Sequence, residues 1–271
     1  MSGLGAALKI LWQSFAYRVR MREANNLAVS VSMMLAFALP WLDVLYRTGY
    51  ALVLNVYVYL INDYCDIDVD LVSAKKDQAK VRFMAEHKGA ALGALLGLGL
   101  VLLGAALAHS TLLVVAFVSN TVLIGAYSAW LKRVPFIDVL LMAAAGATMT
   151  IIGVPTGSLL GWKLIGVLAL LSAGYETIQV IRDEPTDREQ GVRTTAVLLG
   201  AMAAAWVFRA IMAGAAAYGF LVIGSPVGLG FALAVPLPLS TERATRTWDM
   251  VRIIGGLVWL GLLAQVYLGD L

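Results

Sequence analysis

The sequence predicts an all-α polytopic membrane protein, and three observations predict it. Of 271 residues, 61% are hydrophobic and only 14% are charged, with a mean hydropathy of +0.83. A soluble domain carries roughly 25% charged residues. The apolar residues come in long blocks, several reaching the roughly 20 residues that a membrane span needs. The charges cluster instead of spreading evenly. A net charge of +3 and a pI near 9.0 therefore point to basic loops facing anionic lipid rather than to nucleic acid. The single cysteine, Cys65, excludes an intrachain disulfide, and the distant His87 and His109 argue against zinc.

The elements follow in order. In "MSGLGAALKILWQSFAYRVRMR" the basic residues follow the apolar stretch, the reverse of a signal peptide. Residues 1–23 are expected as an amphipathic interfacial helix, ahead of a transmembrane domain over 24–271. Nine spans are expected: 24–42, 48–62, 89–108, 111–130, 136–154, 162–182, 195–221, 225–240 and 251–269. The second and eighth are short. Three prolines in "PVGLGFALAVPLPL" predict that the eighth is kinked or broken. Abundant Gly and Ala allow close helix packing in lipid.

Basic residues set the expected orientation. With the N-terminus in the cytoplasm, 17 Lys and Arg residues fall inside; only Arg47 and Lys163 fall outside, and Arg209 lies within a span. The acids follow the same plan. Asp63, Asp66, Asp68 and Asp70 end the second span, and Asp183, Glu184, Asp187 and Glu189 end the sixth. The pairs Asp66/Asp70 and Asp183/Asp187 share a spacing of four and an offset of 117 residues, which suggests two four-helix pseudo-repeats plus one helix. The expected location is a cell (inner or plasma) membrane, with both acid-rich loops cytoplasmic.

On a helix, Asn62, Asp66 and Asp70 share a face, Asp63 lies beside them and Asp68 points elsewhere. The bland reading is that these acids cap helix ends or pair with nearby Lys and Arg. Ionisable groups at the membrane boundary, matched in spacing and side, favour a functional reading. Hard oxygen donors without His or Cys suit Mg²⁺, which takes one or two carboxylates and bridges to substrate phosphates. Cations from "KKDQAKVR", "LKR" and "DREQGVR" would complete a diphosphate site, although basic loops are more often orientation signals.

"NDYCDIDVD" resembles the NDxxDxxxD motif of the UbiA superfamily of intramembrane prenyltransferases. "DEPTDREQGVRTTAVLLG" is similar to that family's second motif, and "AYSAWLKR" to its tyrosine-and-lysine segment. The resemblance spans nearly the whole chain. Phe83 stands where proline is usual, Val180 where an extra aspartate is common, and Tyr127 precedes Lys132 by five positions rather than four. The resemblance implies Mg²⁺ on Asn62, Asp63, Asp66, Asp70, Asp183 and Asp187, with the last four aspartates catalytic. It implies Arg22, Lys75, Arg82, Tyr127 and Lys132 on the diphosphate. The implied reaction ionises an allylic prenyl diphosphate and passes the prenyl cation to a small acceptor, such as an aromatic quinone precursor or a glyceryl lipid. Tyr57, Tyr59, Trp130 and Tyr175 would line the chamber or serve as packing. A terpene cyclase on the same scaffold is the alternative. A secondary transporter fits less well, because its sites lie near the bilayer midplane.

Overall fold

Uninterrupted apolar runs set the first layer of this fold, because helices alone satisfy their own backbone in lipid. The computed structural model describes residues 2–20, 25–72 and 77–271, and among these there is no strand. Helices α1 (Gly3–Arg20) and α2 (Asn25–Ala36) precede α3 (Trp41–Cys65), α4 (Ile67–Asp70) and α5 (Gln78–Glu86). Then come α6 (Lys88–His109), α7 (Thr111–Ala129), α8 (Ile137–Thr150) and α9 (Leu159–Glu189). The chain ends with α10 (Thr195–Leu199), α11 (Ala201–Leu221) and α12 (Ala244–Leu268). Leu131–Arg133, Ile151–Gly153 and Pro226–Ala234 are 3₁₀ segments. Six helices, α3, α6, α7, α9, α11 and α12, are long and apolar enough to cross a membrane, and shorter apolar helices cover Asn26–Ala36 and Ile137–Gly153. The chain is a multi-pass membrane protein.

Helices α6 and α7 fall within one residue of the expected spans, because nothing interrupts their apolar runs. α3 starts seven residues before the expected 48 because its charges are neutralised inside the bundle. Arg47, only 5% exposed, bonds Asp43 (2.9 Å) and donates to the carbonyls of Ile152 (3.1 Å) and Val154 (2.9 Å). It thus satisfies carbonyls left open where α8 runs into its 3₁₀ turn. His109 Nε2 meets the same Asp43 oxygen at 2.7 Å. Arg47 thus ties α3 to the turn after α8, and its partner Asp43 adds His109 of α6. Arg47→Ala is expected to cost about 3–5 kcal/mol, the usual penalty for breaking a buried pair, read as a lower thermal midpoint in detergent.

α9 extends beyond the expected 182 to Glu189, with Pro185 inside its last turns. Its 31 residues rise about 46 Å, against a hydrocarbon core of roughly 30 Å, so it reaches well past the apolar layer. This helix packs against α8, α10, α11 and α12 and carries the second acid cluster at its end. The expected seventh span divides at Gly200, whose φ of 81° is open to glycine at little cost. The expected break of the eighth is the 3₁₀ segment Pro226–Ala234. There Gly228 meets Gly219 so closely that a Cβ on Gly228 would lie 2.5 Å from the Gly219 Cα. The small residues thus allow this non-α segment to press against α11.

Candidate active site

The first acid cluster sits on a helix break. α3 stops at Cys65, Asp66 adopts φ −94° and ψ 2°, and α4 begins at Ile67. A backbone bond from Asp70 N to Asp66 O (2.8 Å) keeps the two aspartates one turn apart. Asp66 makes no side-chain cap bond to α4, which leaves its carboxylate for other partners. Asp63, Asp66 and Asp70 are all buried. Burying a carboxylate is costly unless it is paired, and the partners come from three separate elements. Arg18 of α1 donates to Asp63 (2.9 Å), and the other Asp63 oxygen accepts from Lys80 of α5. Lys132, just after α7, pairs with Asp66. Asn62 Oδ1 accepts from the Ser128 hydroxyl on α7 (3.0 Å). Asp68 faces outward, 84% exposed, and meets Lys88 at 3.1 Å.

α5 owes its phase to its cap. The Asp77 carboxylate accepts from the Lys80 backbone N–H (3.2 Å), and this bond above all holds the Asp77 carboxyl below its ordinary range. The helix then turns Lys80 inward and leaves Arg82 exposed. A small cavity of about 20 Å³ results, its charged side formed by Arg18, Asp63, Asp70, Asp77 and Lys80 and its apolar side by Ile67, Val81 and Met84.

The second cluster occupies the last turns of α9. Asp183 accepts two bonds from Arg182 (3.0 and 2.8 Å), and Glu184 pairs with Arg188. The carbonyl of Asp187 accepts from Val192 N (2.8 Å) as the chain turns away. Asp183 and Asp187 are partly exposed, unlike the aspartates of the first cluster.

The end of α7 links the first cluster to α9. Ser128 and Lys132 engage the first cluster, while the Tyr127 hydroxyl donates to Glu176 Oε1 (3.0 Å) on α9. Asp66 lies within electrostatic reach of Tyr127, and Asp183 within reach of Glu176. The end of α7 thus touches the first cluster and reaches α9 seven residues before Asp183. A further tie fixes the loops. Asp138, fully buried at the start of α8, accepts from the Thr195 N–H (2.7 Å) and from the Thr195 hydroxyl (2.5 Å). Thr195 Oγ1 in turn accepts from Phe136 N (2.7 Å), which pins the segment after Lys132 to the segment after the second cluster.

Of the aromatic residues, Tyr57 stacks on Phe117 and Tyr175 meets Trp248 edge-on, both as packing. Tyr59 lies beneath the Arg18 guanidinium, and Trp130 is exposed. Arg22 and Lys75 lie outside the described residues. Sequence reasoning missed Arg18, Asp138 and Thr195, and it offered Lys80 only as one of the cations of "KKDQAKVR". Lys80 had one local signal, since Lys80, Val81 and Met84 share a helical face.

Residues 26–252 match the family model described as UbiA prenyltransferase family. The chain is 30% identical over 242 residues to a lycopene elongase/hydratase of Haloferax volcanii, covering 79% of this chain and 74% of that protein. It resembles the structure of a UbiA homologue from Archaeoglobus fulgidus bound to dimethylallyl diphosphate (DMAPP) and Mg²⁺, with a TM-score of 0.64 and 17% identity over 93% of this chain and 98% of that one. A structure from work on digeranylgeranylglyceryl phosphate synthase matches with a TM-score of 0.64 and 17% identity, covering 96% of this chain and 99% of that one.

Proposed function

This chain belongs to the UbiA prenyltransferase family, and on that premise we propose that it moves a prenyl group from an allylic prenyl diphosphate to a small acceptor, releasing diphosphate with Mg²⁺ bound between its acid clusters. The observation that supports the reading is that the end of α7 bonds Asn62 beside the first aspartate pair and Glu176 on α9, the helix whose last turns carry the second pair 117 residues later in sequence.

The residues present fit the metal. Among the described residues no three Asp, Glu, His or Cys side chains gather as one metal cage. Mg²⁺ needs none, since it takes one or two carboxylates and completes its shell with water and phosphate oxygens. Asn62, Asp66 and Asp70 would hold it on one side, with Asp63 beside them, and Asp183 and Asp187 on the other. When bound, the metal neutralises charge that grows on the departing diphosphate. The chain's own cations do the same work. Lys132 and Arg82 are assigned to the diphosphate, joined by Lys80, which lines the small cavity beside Asp63. Arg22 and Lys75 remain assigned to the same anion. The apolar bundle below keeps water from the allylic cation.

The wider architecture follows the same proposal. The six long helices, the two shorter ones and Pro226–Ala234 make nine spans in two four-helix repeats plus one. α1 lies in the interface, supported by its exposed Leu4, Leu8 and Trp12 and by the apolar groove of about 350 Å³ that it forms with α3 and α6. Both acid clusters face the cytoplasm of a cell membrane, so that a soluble diphosphate enters from that side. The acceptor class includes aromatic quinone precursors and glyceryl lipids, and the halophile relative adds a polyene.

The test is to incubate purified protein with Mg²⁺, labelled geranylgeranyl or dimethylallyl diphosphate, and a panel of lycopene, an aromatic hydroxy acid and a glyceryl phosphate ether. The expected result is one acceptor heavier by one prenyl unit, with diphosphate released in equal amount. A cyclised hydrocarbon formed without acceptor, or no diphosphate release, would contradict transfer.

A further inference from the structure

Glu176 is a buried carboxylate, 5% exposed, in the apolar part of α9. It lies seven residues before Asp183, about 10 Å deeper along the helix and on the same face. Its described hydrogen bonds come from neutral groups, the Tyr127 hydroxyl (3.0 Å) and the Gln179 amide (3.4 Å). Tying α7 to α9 requires only a hydrogen-bond acceptor, which a glutamine would supply without the cost of burying a charge. A carboxylate at that depth calls for a task. Tyr127 is less buried than Glu176, and its neighbour Ser128 bonds Asn62 of the first cluster.

The buried cations narrow the acceptor. Among the described residues the buried Lys and Arg are Arg47 and Lys80. Arg47 serves Asp43 and two carbonyls, and Lys80 pairs with Asp63 at the diphosphate end. Among the described residues, neither of these buried cations is committed to an anionic acceptor's carboxylate or phosphate. That suits an uncharged acceptor whose nucleophile is a carbon–carbon double bond.

We propose that Tyr127 and Glu176 form the proton relay that ends the reaction on an alkene acceptor. The inference rests on the transferase reading above. The allylic cation, freed as diphosphate leaves, is attacked by the acceptor's π pair. A new carbon–carbon bond forms, with a tertiary cation on the neighbouring carbon. The electron pair of an adjacent C–H bond closes to a new double bond. Its proton passes to the Tyr127 oxygen while the Tyr127 proton passes to Glu176 Oε1. The net change is one protonated carboxyl and a neutral tyrosine; the carboxyl returns its proton to solvent between turnovers. Without the relay, the cation persists until water adds and gives a tertiary alcohol.

The experiment uses dimethylallyl diphosphate, lycopene and Mg²⁺ with the wild type, Tyr127→Phe, Glu176→Gln and Glu176→Asp. The readout is the ratio of deprotonated to water-captured product at matched donor consumption, which a merely structural role would not move. Tyr127→Phe and Glu176→Gln are expected to lower the ratio on the order of 100-fold, within the range of general acid–base catalysis. Glu176→Asp keeps most of it. Tyr127→Phe removes a single oxygen, so it tests the relay even if Glu176→Gln fails to fold. An unchanged ratio in Tyr127→Phe overturns the relay while leaving the transferase standing. A wild type that prenylates another panel member but not lycopene overturns the alkene assignment alone. A wild type that releases no diphosphate with any acceptor overturns both.

Discussion

Asp66→Ala and Asp183→Ala are each expected to lower prenyl transfer at least about 1,000-fold while leaving the protein folded in detergent. On the proposed reading the two substitutions act on opposite sides of the diphosphate. Asp66 is buried and faces the Lys132 ammonium, so its removal would take a proposed metal ligand and leave Lys132 without this counter-ion. Asp183 is part-exposed and held by Arg182, so its loss costs little stability, and the activity change there is the cleaner reading. Steady-state turnover with the preferred acceptor, alongside thermal melting, is the check. Substantial turnover in either variant at saturating Mg²⁺ would remove that cluster from the site.

Lys132→Ala is expected to weaken prenyl diphosphate binding by about 2–5 kcal/mol, roughly 30- to 5,000-fold, with a much smaller effect on the acceptor. The ammonium touches Asp66 from the turn after α7, where a diphosphate between the two clusters would meet it. Arg82→Ala, by contrast, removes an exposed cation from the outer face of α5 and should act chiefly on the rate of capture at low salt. Separate KM values for donor and acceptor decide. A change confined to the acceptor would assign Lys132 to acceptor binding or to orientation of the loop.

The legible and illegible parts of this molecule divide by the range of the interactions. The runs of α6 and α7 are local, and their ends were readable to a residue. The proline-rich break at Pro226–Ala234 was equally local. The start of α3 and the end of α9 were not: Arg47 stays buried through the distant carbonyls of Ile152 and Val154 as well as Asp43, and the charged turns of α9 stay helical through the pairs Arg182–Asp183 and Glu184–Arg188. The acid clusters were visible because their residue types are costly at a membrane boundary. Their partners were not visible. Arg18 reaches Asp63 across 45 residues, Tyr127 reaches Glu176 across 49, and Asp138 reaches Thr195 across 57. No periodicity within one helix encodes such pairs. The helix break at Asp66 was also hidden: the four-residue spacing of Asp66 and Asp70 survives there through a backbone bond, not through a continuous helix.

The central claim is that two aspartate clusters at one end of the bundle hold one diphosphate through Mg²⁺. Calorimetry of a non-ionising prenyl thiodiphosphate with the purified protein tests it most directly. The account predicts saturable binding with Mg²⁺ that disappears in EDTA and is lost in both Asp66→Ala and Asp183→Ala. Equal affinity in EDTA, or in either variant, would contradict it.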